Sequence, residues 1–111
     1  MSSISTHVLD TARGQPASGV PVVLWVRAES GEWREITRGS TDRDGRALLA
    51  STHSARGIYR IAFDTAAYFR AWNLEGFYPE VEVTFEIRDP AQNYHVPLLM
   101  SPYGYSTYRG S

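Results

Sequence analysis

The sequence has no cysteine and no lysine among its 111 residues. The lack of cysteine excludes a disulfide framework, a thiolate nucleophile, a cysteine-ligated zinc site and an iron–sulfur cluster. The lack of lysine excludes Schiff-base chemistry and a lysine general base. The side chains that titrate near neutral pH are then chiefly three histidines, His7, His53 and His95.

The chain also lacks a strong charge of either sign and any long apolar run. The chain has eleven basic residues, all arginine, and twelve acidic ones, so its formal net charge is -1. This near balance argues against a general nucleic-acid-binding surface. No apolar run approaches the roughly 20 residues that span a bilayer, and the first residues lack the cationic and apolar segments of a signal peptide. We therefore expect a soluble, cytoplasmic protein with no nucleic-acid or membrane partner.

Turn signals separate short β-rich segments at intervals of about ten residues, a pattern typical of an all-β sandwich. The clearest segment alternates Val81, Val83, Phe85 and Ile87 with polar residues, so one face of that strand is core and the other solvent. Residues 64–73 suit one short helix capped by Asp64. The sequence predicts a single domain over residues 1–111, with eight strands at residues 4–10, 21–28, 33–38, 46–50, 57–63, 80–87, 93–101 and 103–109.

Two of the histidines fall on predicted strands, where a rigid backbone suits a precise site. His7 shares a strand face with Ser5 and Leu9, and His95 shares one with Pro97 and Leu99. His53 instead lies in a small, polar loop segment, and we expect it to be solvated.

Arg46 follows an Asp44-Gly45 turn and shares a strand face with Leu48 and Ala50. An unpaired buried guanidinium is costly, so this side chain must reach water, a carboxylate or a ligand. A salt bridge at the rim with Asp42 or Asp44 is the plainer of these interpretations.

The last ten residues are rich in tyrosine and hydroxyl groups. If they form a strand, Ser106 and Tyr108 share one face, and Thr107 and Arg109 share the other. The plainer interpretation is a tyrosine-rich edge or interface strand, since tyrosine packs well in that setting.

Five separate stretches, in a consistent order over residues 4–111, carry motifs of one known family. They are residues 5–14, 41–46, 57–59, 94–103 and 108–111, the last reading Tyr-Arg-Gly-Ser. In this set of motifs the chain closely resembles the 5-hydroxyisourate hydrolases of the transthyretin-like family. The resemblance implies an eight-stranded sandwich of two sheets with one short helix. It also implies a homotetramer, a dimer of dimers with active sites at the ends of a central channel.

The same resemblance implies which residues do the work. In the hormone carrier of this fold, the positions that match His7, Arg46 and His95 hold Lys, Glu and Thr, so here they carry the hydrolase set. Tyr108 would narrow the channel to a shallow pocket. Arg109 and Ser111 would hold the tail and line the pocket mouth, and Ser106 or Ser111 would hydrogen-bond the substrate or the attacking water.

The implied reaction opens the six-membered ring of 5-hydroxyisourate at a cyclic amide bond, with no metal or organic cofactor. The product is 2-oxo-4-hydroxy-4-carboxy-5-ureidoimidazoline, a step of urate and purine degradation. His7 is the leading candidate for general base, and His95 orients water or protonates the leaving nitrogen; these two roles could be exchanged. Arg46 anchors the substrate and stabilises the negative charge that develops in the reaction. Two alternatives stay open: a carrier of a small aromatic ligand, and a sandwich that only assembles through its tyrosine-rich edge.

Overall fold

Within residues 3–50 and 54–111, which the computed structural model describes, nine strands and one helix follow one another along the chain. They are β1 (Ile4–Asp10), β2 (Gln15–Pro16), β3 (Pro21–Arg27), β4 (Trp33–Ser40), β5 (Arg46–Ala50), β6 (Gly57–Phe63), α1 (Thr65–Ala71), β7 (Val81–Ile87), β8 (Tyr94–Ser101) and β9 (Gly104–Thr107).

Eight of these strands are the predicted ones, with ends that agree within two residues, and the all-β sandwich is confirmed. The ninth, β2, was not predicted because Gly14, Gln15 and Pro16 have the composition of a turn. It is a two-residue pairing against Leu9 and Asp10 of β1. The predicted loop position of His53 lies outside the described residues.

The strands form two sheets. The five-stranded sheet has the order β2-β1-β8-β9, with β5 paired to β1, and the four-stranded sheet has the order β4-β3-β6-β7. The pairing of β1 with β8 is parallel, and the other pairings are antiparallel. Residues near the two ends of the chain are therefore hydrogen-bonded neighbours in the centre of one sheet.

Alternation decides which side chains enter the core between the sheets. Along β1, Ile4, Thr6, Val8 and Asp10 are buried, whereas the residues between them face outward and are half-buried. The charged positions predicted on β7 point to solvent, and Val81, Val83 and Ile87 are buried. The outer face of the five-stranded sheet is thus left to carry polar side chains.

The predicted helix is present and capped as expected. The Asp64 side chain accepts a 3.0 Å hydrogen bond from the backbone N–H of Ala67, which satisfies one of the free donors of the first turn. Two helix residues, Tyr68 and Phe69, bury their side chains in the core. The Tyr68 hydroxyl donates a 2.7 Å hydrogen bond to the buried carboxylate of Asp10. This contact ties the helix to β1. No helix in the described part of the chain is long and apolar enough to cross a membrane.

Candidate active site

The two strand histidines and Arg46 meet on the outer face of the five-stranded sheet, on three adjacent strands. His7 lies on the central strand β1 and is directly opposite Arg46 of β5. On the other side of β1, Ser5 is directly opposite His95 of β8. Positions two apart on a strand share a face, so β1 brings His7 and Ser5 between the arginine and the second histidine. The sequence alone assigned these faces but not the strand order that joins them.

A groove of about 420 Å³ opens on this face. It is small, and seven of its nine lining residues are polar, which suits a small polar heterocycle better than an extended ligand. The groove is lined by Ser3, Ser5, Thr6, Arg46, Ala47, Leu48, Asn93, His95 and Ser111. His7 stands beside it rather than in its wall.

The imidazole of His95 is held in a defined orientation. Its Nδ1 lies 2.9 Å from the Ser5 hydroxyl oxygen, within hydrogen-bond distance. Nδ1 is therefore engaged inside the protein, and Nε2 is the ring nitrogen left for other partners. Ser5 was not predicted as a site residue, because its role depends on the parallel register of β1 and β8.

His95 is also electrically biased toward its neutral form. Burial lowers its pKa, and the nearby Arg46 and His7 side chains, whose cationic forms disfavour a second cation, lower the pKa further. The ordinary value is 6.5, so the imidazole is neutral at pH 7. A neutral ring with a free nitrogen is what a general base requires.

Arg46 is placed by the turn before it rather than by a salt bridge. Gly45 has φ +77°, and a Cβ there would lie 2.5 Å from the Val8 carbonyl oxygen, so only glycine fits the turn. One carboxylate oxygen of Asp42 accepts hydrogen bonds from the backbone N–H groups of Asp44 and Arg46, at 2.9 and 3.0 Å.

The N–H of Arg46 is the main cause that lowers the pKa of the Asp42 carboxyl group, and burial opposes it. Within the described residues the Arg46 guanidinium forms no ion pair, so the rim salt bridge with Asp42 or Asp44 is not formed. The arginine side chain is exposed, lines the groove and is available to a ligand.

The C-terminal segment continues along β8 after β9 ends. Leu98 pairs with Thr107 in the ladder, and His95 pairs with Gly110 in an isolated bridge in the same register. Two residues of β8, Val96 and Pro97, lie between these pairs, and Pro97 has no N–H to donate. This explains why the predicted last strand stops short, at Thr107.

That register places Tyr108 opposite Pro97, on the face that carries His95. Tyr108 is 58% exposed and does not line the groove of His95 within one chain. It contributes instead, with Arg109, to a separate groove of about 160 Å³ at the edge between the sheets. Ser106, opposite Leu99, shares the outer face but also lies outside the groove. The role of Tyr108 as a pocket wall thus stays a prediction.

Arg109 anchors the tail. Its Nη2 donates hydrogen bonds to the Gln92 side-chain oxygen at 2.8 Å and to the Asn93 carbonyl at 3.3 Å. Its guanidinium carbon lies 4.5 Å from the centre of the Tyr94 ring, in cation–π contact. Ser111 lines the groove next to His95. The contacts place Arg109 and Ser111 within the tail and at the groove, and their roles toward a substrate stay predictions.

Comparison with known proteins gives a consistent result. The model of the HIUase/Transthyretin family matches residues 4–110. The chain is 48% identical to the 5-hydroxyisourate hydrolase of Salmonella typhimurium over 110 residues, which covers 97% of this chain and 80% of the relative.

Two solved structures are similar over nearly the whole chain. The structure of Klebsiella pneumoniae 5-hydroxyisourate hydrolase has a TM-score of 0.86 at 34% identity and covers 98% of this chain and 99% of its own. That of sea bream transthyretin in complex with thyroxine has a TM-score of 0.90 at 30% identity, covering 96% and 93%. With the family model spanning nearly every residue, this chain belongs to the HIUase/Transthyretin family.

Proposed function

We propose that this protein is a cyclic amide hydrolase that opens the six-membered ring of 5-hydroxyisourate. The observation that carries the proposal is the convergence of a neutral, oriented His95 with Arg46 at one small polar groove, with His7 on the strand between them. The Salmonella and Klebsiella relatives bear the name of this activity. The reaction uses side chains and water alone.

The chemistry needs a base, a cation and a proton donor. Water attacks the amide carbonyl carbon while a base takes one of its protons, and the oxygen of the tetrahedral intermediate becomes an anion. The C–N bond of the ring then breaks, and the departing nitrogen takes a proton. General-base assistance contributes roughly 10²- to 10⁴-fold, and stabilisation of the oxyanion contributes about 3 kcal/mol per well-placed donor.

We assign the base to His95, reversing the preference for His7 that the sequence suggested. His95 lines the groove and His7 does not. In the tautomer that this role needs, Nδ1–H donates its hydrogen bond to the Ser5 hydroxyl oxygen, and Nε2 is the nitrogen that accepts the proton. Arg46 anchors the substrate and stabilises the oxyanion. His7, next to Arg46 across the β1–β5 pairing, is the candidate to complete proton transfer to the leaving nitrogen. Ser111 hydrogen-bonds the substrate or the attacking water.

We further propose that the working form is a cytoplasmic homotetramer, a dimer of dimers. On one chain the groove is open. On the same face of the sheet, the relative exposure of Leu48 is 65% and that of Tyr108 is 58%. A second chain packed on this face would cover both side chains and close the pocket, with Tyr108 and Ser106 as walls. Light scattering should give four times the chain mass of 12.5 kDa; a monomer with full activity would contradict this assembly.

The transthyretin neighbour with thyroxine supports a second candidate, a carrier that binds a small aromatic ligand on the same face. The polar lining of the groove and the base-like His95 favour hydrolysis. One experiment separates the two: 5-hydroxyisourate is generated from urate by urate oxidase, and its loss is followed with and without the protein. Loss well above the spontaneous rate supports the hydrolase. Tight binding of an iodinated aromatic without acceleration supports the carrier.

A further inference from the structure

Gly110 is the cross-strand neighbour of His95. Because glycine has no side chain, the imidazole ring of His95 can pack directly against the backbone at this position. The Gly110 N–H donates a 2.8 Å hydrogen bond to the His95 carbonyl. A Cβ at Gly110 would lie 2.5 Å from Cδ2 and 3.2 Å from Cγ of the ring, and 3.3 Å from Cγ of Pro97. Carbon atoms in contact are normally about 3.5–4.0 Å apart. The ring therefore occupies the space that a side chain at position 110 would fill.

This clash cannot be relieved by moving a flexible end of a side chain. Cδ2 and Cγ belong to the rigid ring near its attachment to the backbone. On its other edge the ring is engaged by Ser5 through Nδ1. Nδ1 and Cδ2 flank Cγ, so Ser5 and Gly110 hold the two opposite edges of the imidazole, and Nε2 is left on the outward edge. A glycine in a paired segment commonly marks such a close approach.

We propose that Gly110 is a positioning residue for catalysis: the bare backbone of the C-terminal tail forms one side of a clamp, with Ser5 as the other side, that fixes the direction of His95 Nε2. The inference deepens the proposed function, since His95 is the assigned base. The C-terminal tail would then have two roles: Ser111 lines the groove, and Gly110 positions His95. A displacement of about 1 Å in a catalytic group costs about 10²-fold in rate.

The test compares Gly110→Ala with Gly104→Ala, a matched control in the same C-terminal segment. A Cβ at Gly104 meets no atom closer than Ser101 Oγ at 3.8 Å, an ordinary contact. We expect Gly110→Ala to lower kcat about 10²-fold with little change in KM, and Gly104→Ala to retain wild-type kinetics. Wild-type kcat in Gly110→Ala would overturn the proposal.

Nitrogen NMR of the His95 ring gives a readout that a merely structural role would not move. In Gly110→Ala we expect changed Nδ1 and Nε2 signals and a changed titration midpoint of His95, with both unchanged in Gly104→Ala. If kcat falls in Gly110→Ala while the His95 signals stay as in wild type, the tail has moved away from an unchanged ring, which rapid solvent exchange of the residue 110 amide would also report, and the proposal is wrong. This readout needs no substrate, so it stands even if the wild-type protein fails to hydrolyse 5-hydroxyisourate.

A double variant covers the case in which Gly110→Ala does not fold. Replacing His95 with alanine removes Cγ and Cδ2, the two ring atoms in the clash, so His95→Ala/Gly110→Ala should fold with about the same Tm as His95→Ala and lose no further activity. A double variant that is clearly less stable or less active than His95→Ala would show that Gly110 acts through something other than the His95 ring, and would overturn the proposal.

Discussion

Replacing Arg46 with glutamine tests the electrostatics of the site in two independent ways. The substitution removes a cation that stabilises the developing oxyanion, and it removes one of the two charges that hold the pKa of His95 down. Because Arg46 is exposed on the single chain, we take the lower end of the range for one oxyanion donor, about 3 kcal/mol. This corresponds to a loss of about 10²-fold in kcat/KM.

The second effect has a definite sign. Arg46 and His7 both disfavour imidazolium, so Arg46→Gln raises the pKa of His95, while burial and His7 continue to lower it. A base must be deprotonated to work, so the acidic limb of the pH profile of kcat/KM moves to higher pH. The assay is the initial rate of 5-hydroxyisourate loss across pH, corrected for the spontaneous rate at each pH.

Two variants control this prediction. Arg46→Lys keeps the positive charge, so the acidic limb should stay near that of wild type even though the geometry of the donor changes. Arg38→Gln removes an arginine that pairs with Glu35 on the other sheet and lies far from the groove lining, so its profile should be unchanged. An acidic limb that moves to lower pH in Arg46→Gln, or moves equally in all three variants, would refute the reasoning.

Three further predictions concern single hydrogen bonds. Ser5→Ala should lower kcat by about fivefold, equivalent to about 1 kcal/mol, because His95 loses its Nδ1 partner, and Ser5→Thr should restore it; equal rates for all three proteins would contradict this. Tyr68→Phe should reduce the free energy of unfolding in urea by about 1–3 kcal/mol because the buried carboxylate of Asp10 loses a donor, with kcat unchanged in the folded protein. Asp64→Ala should cost about 1 kcal/mol through loss of the helix cap, and Asp64→Asn much less; equal stability of the alanine variant would show that the cap is unimportant.

The sequence predicted which residues share a strand face better than it predicted which strands pair with each other. Alternation correctly put His7 on one strand face with Ser5 and turned the apolar residues of β7 inward, because burial on one side imposes a period of two. It gave no information on the parallel pairing of β1 with β8, which joins segments about 90 residues apart. Ser5 was therefore seen as a neighbour of His7 and not as a partner of His95.

The tail shows the second limit. Its residues predicted a last strand. The chain pairs with β8 over β9, and one further pair at Gly110 keeps the same register. What composition could not reveal is that Pro97 interrupts the ladder or that the ring of His95 rests against Gly110. A glycine near a chain end normally indicates a turn or a loose segment, and only the distances show that it is packed against the site. Tyr108 does not line the groove of the single chain, so its role as a pocket wall stays a prediction.

In the proposed function, the face that carries His7, Arg46 and His95 hydrolyses 5-hydroxyisourate. The most direct measurement is the initial rate of loss of freshly generated 5-hydroxyisourate with equal concentrations of wild type and His95→Asn. We predict a wild-type rate far above the spontaneous one and a loss of roughly 10²- to 10⁴-fold in the variant, with the fold of both proteins intact by circular dichroism. No acceleration by the wild type, or an equal rate in the folded variant, would contradict the account.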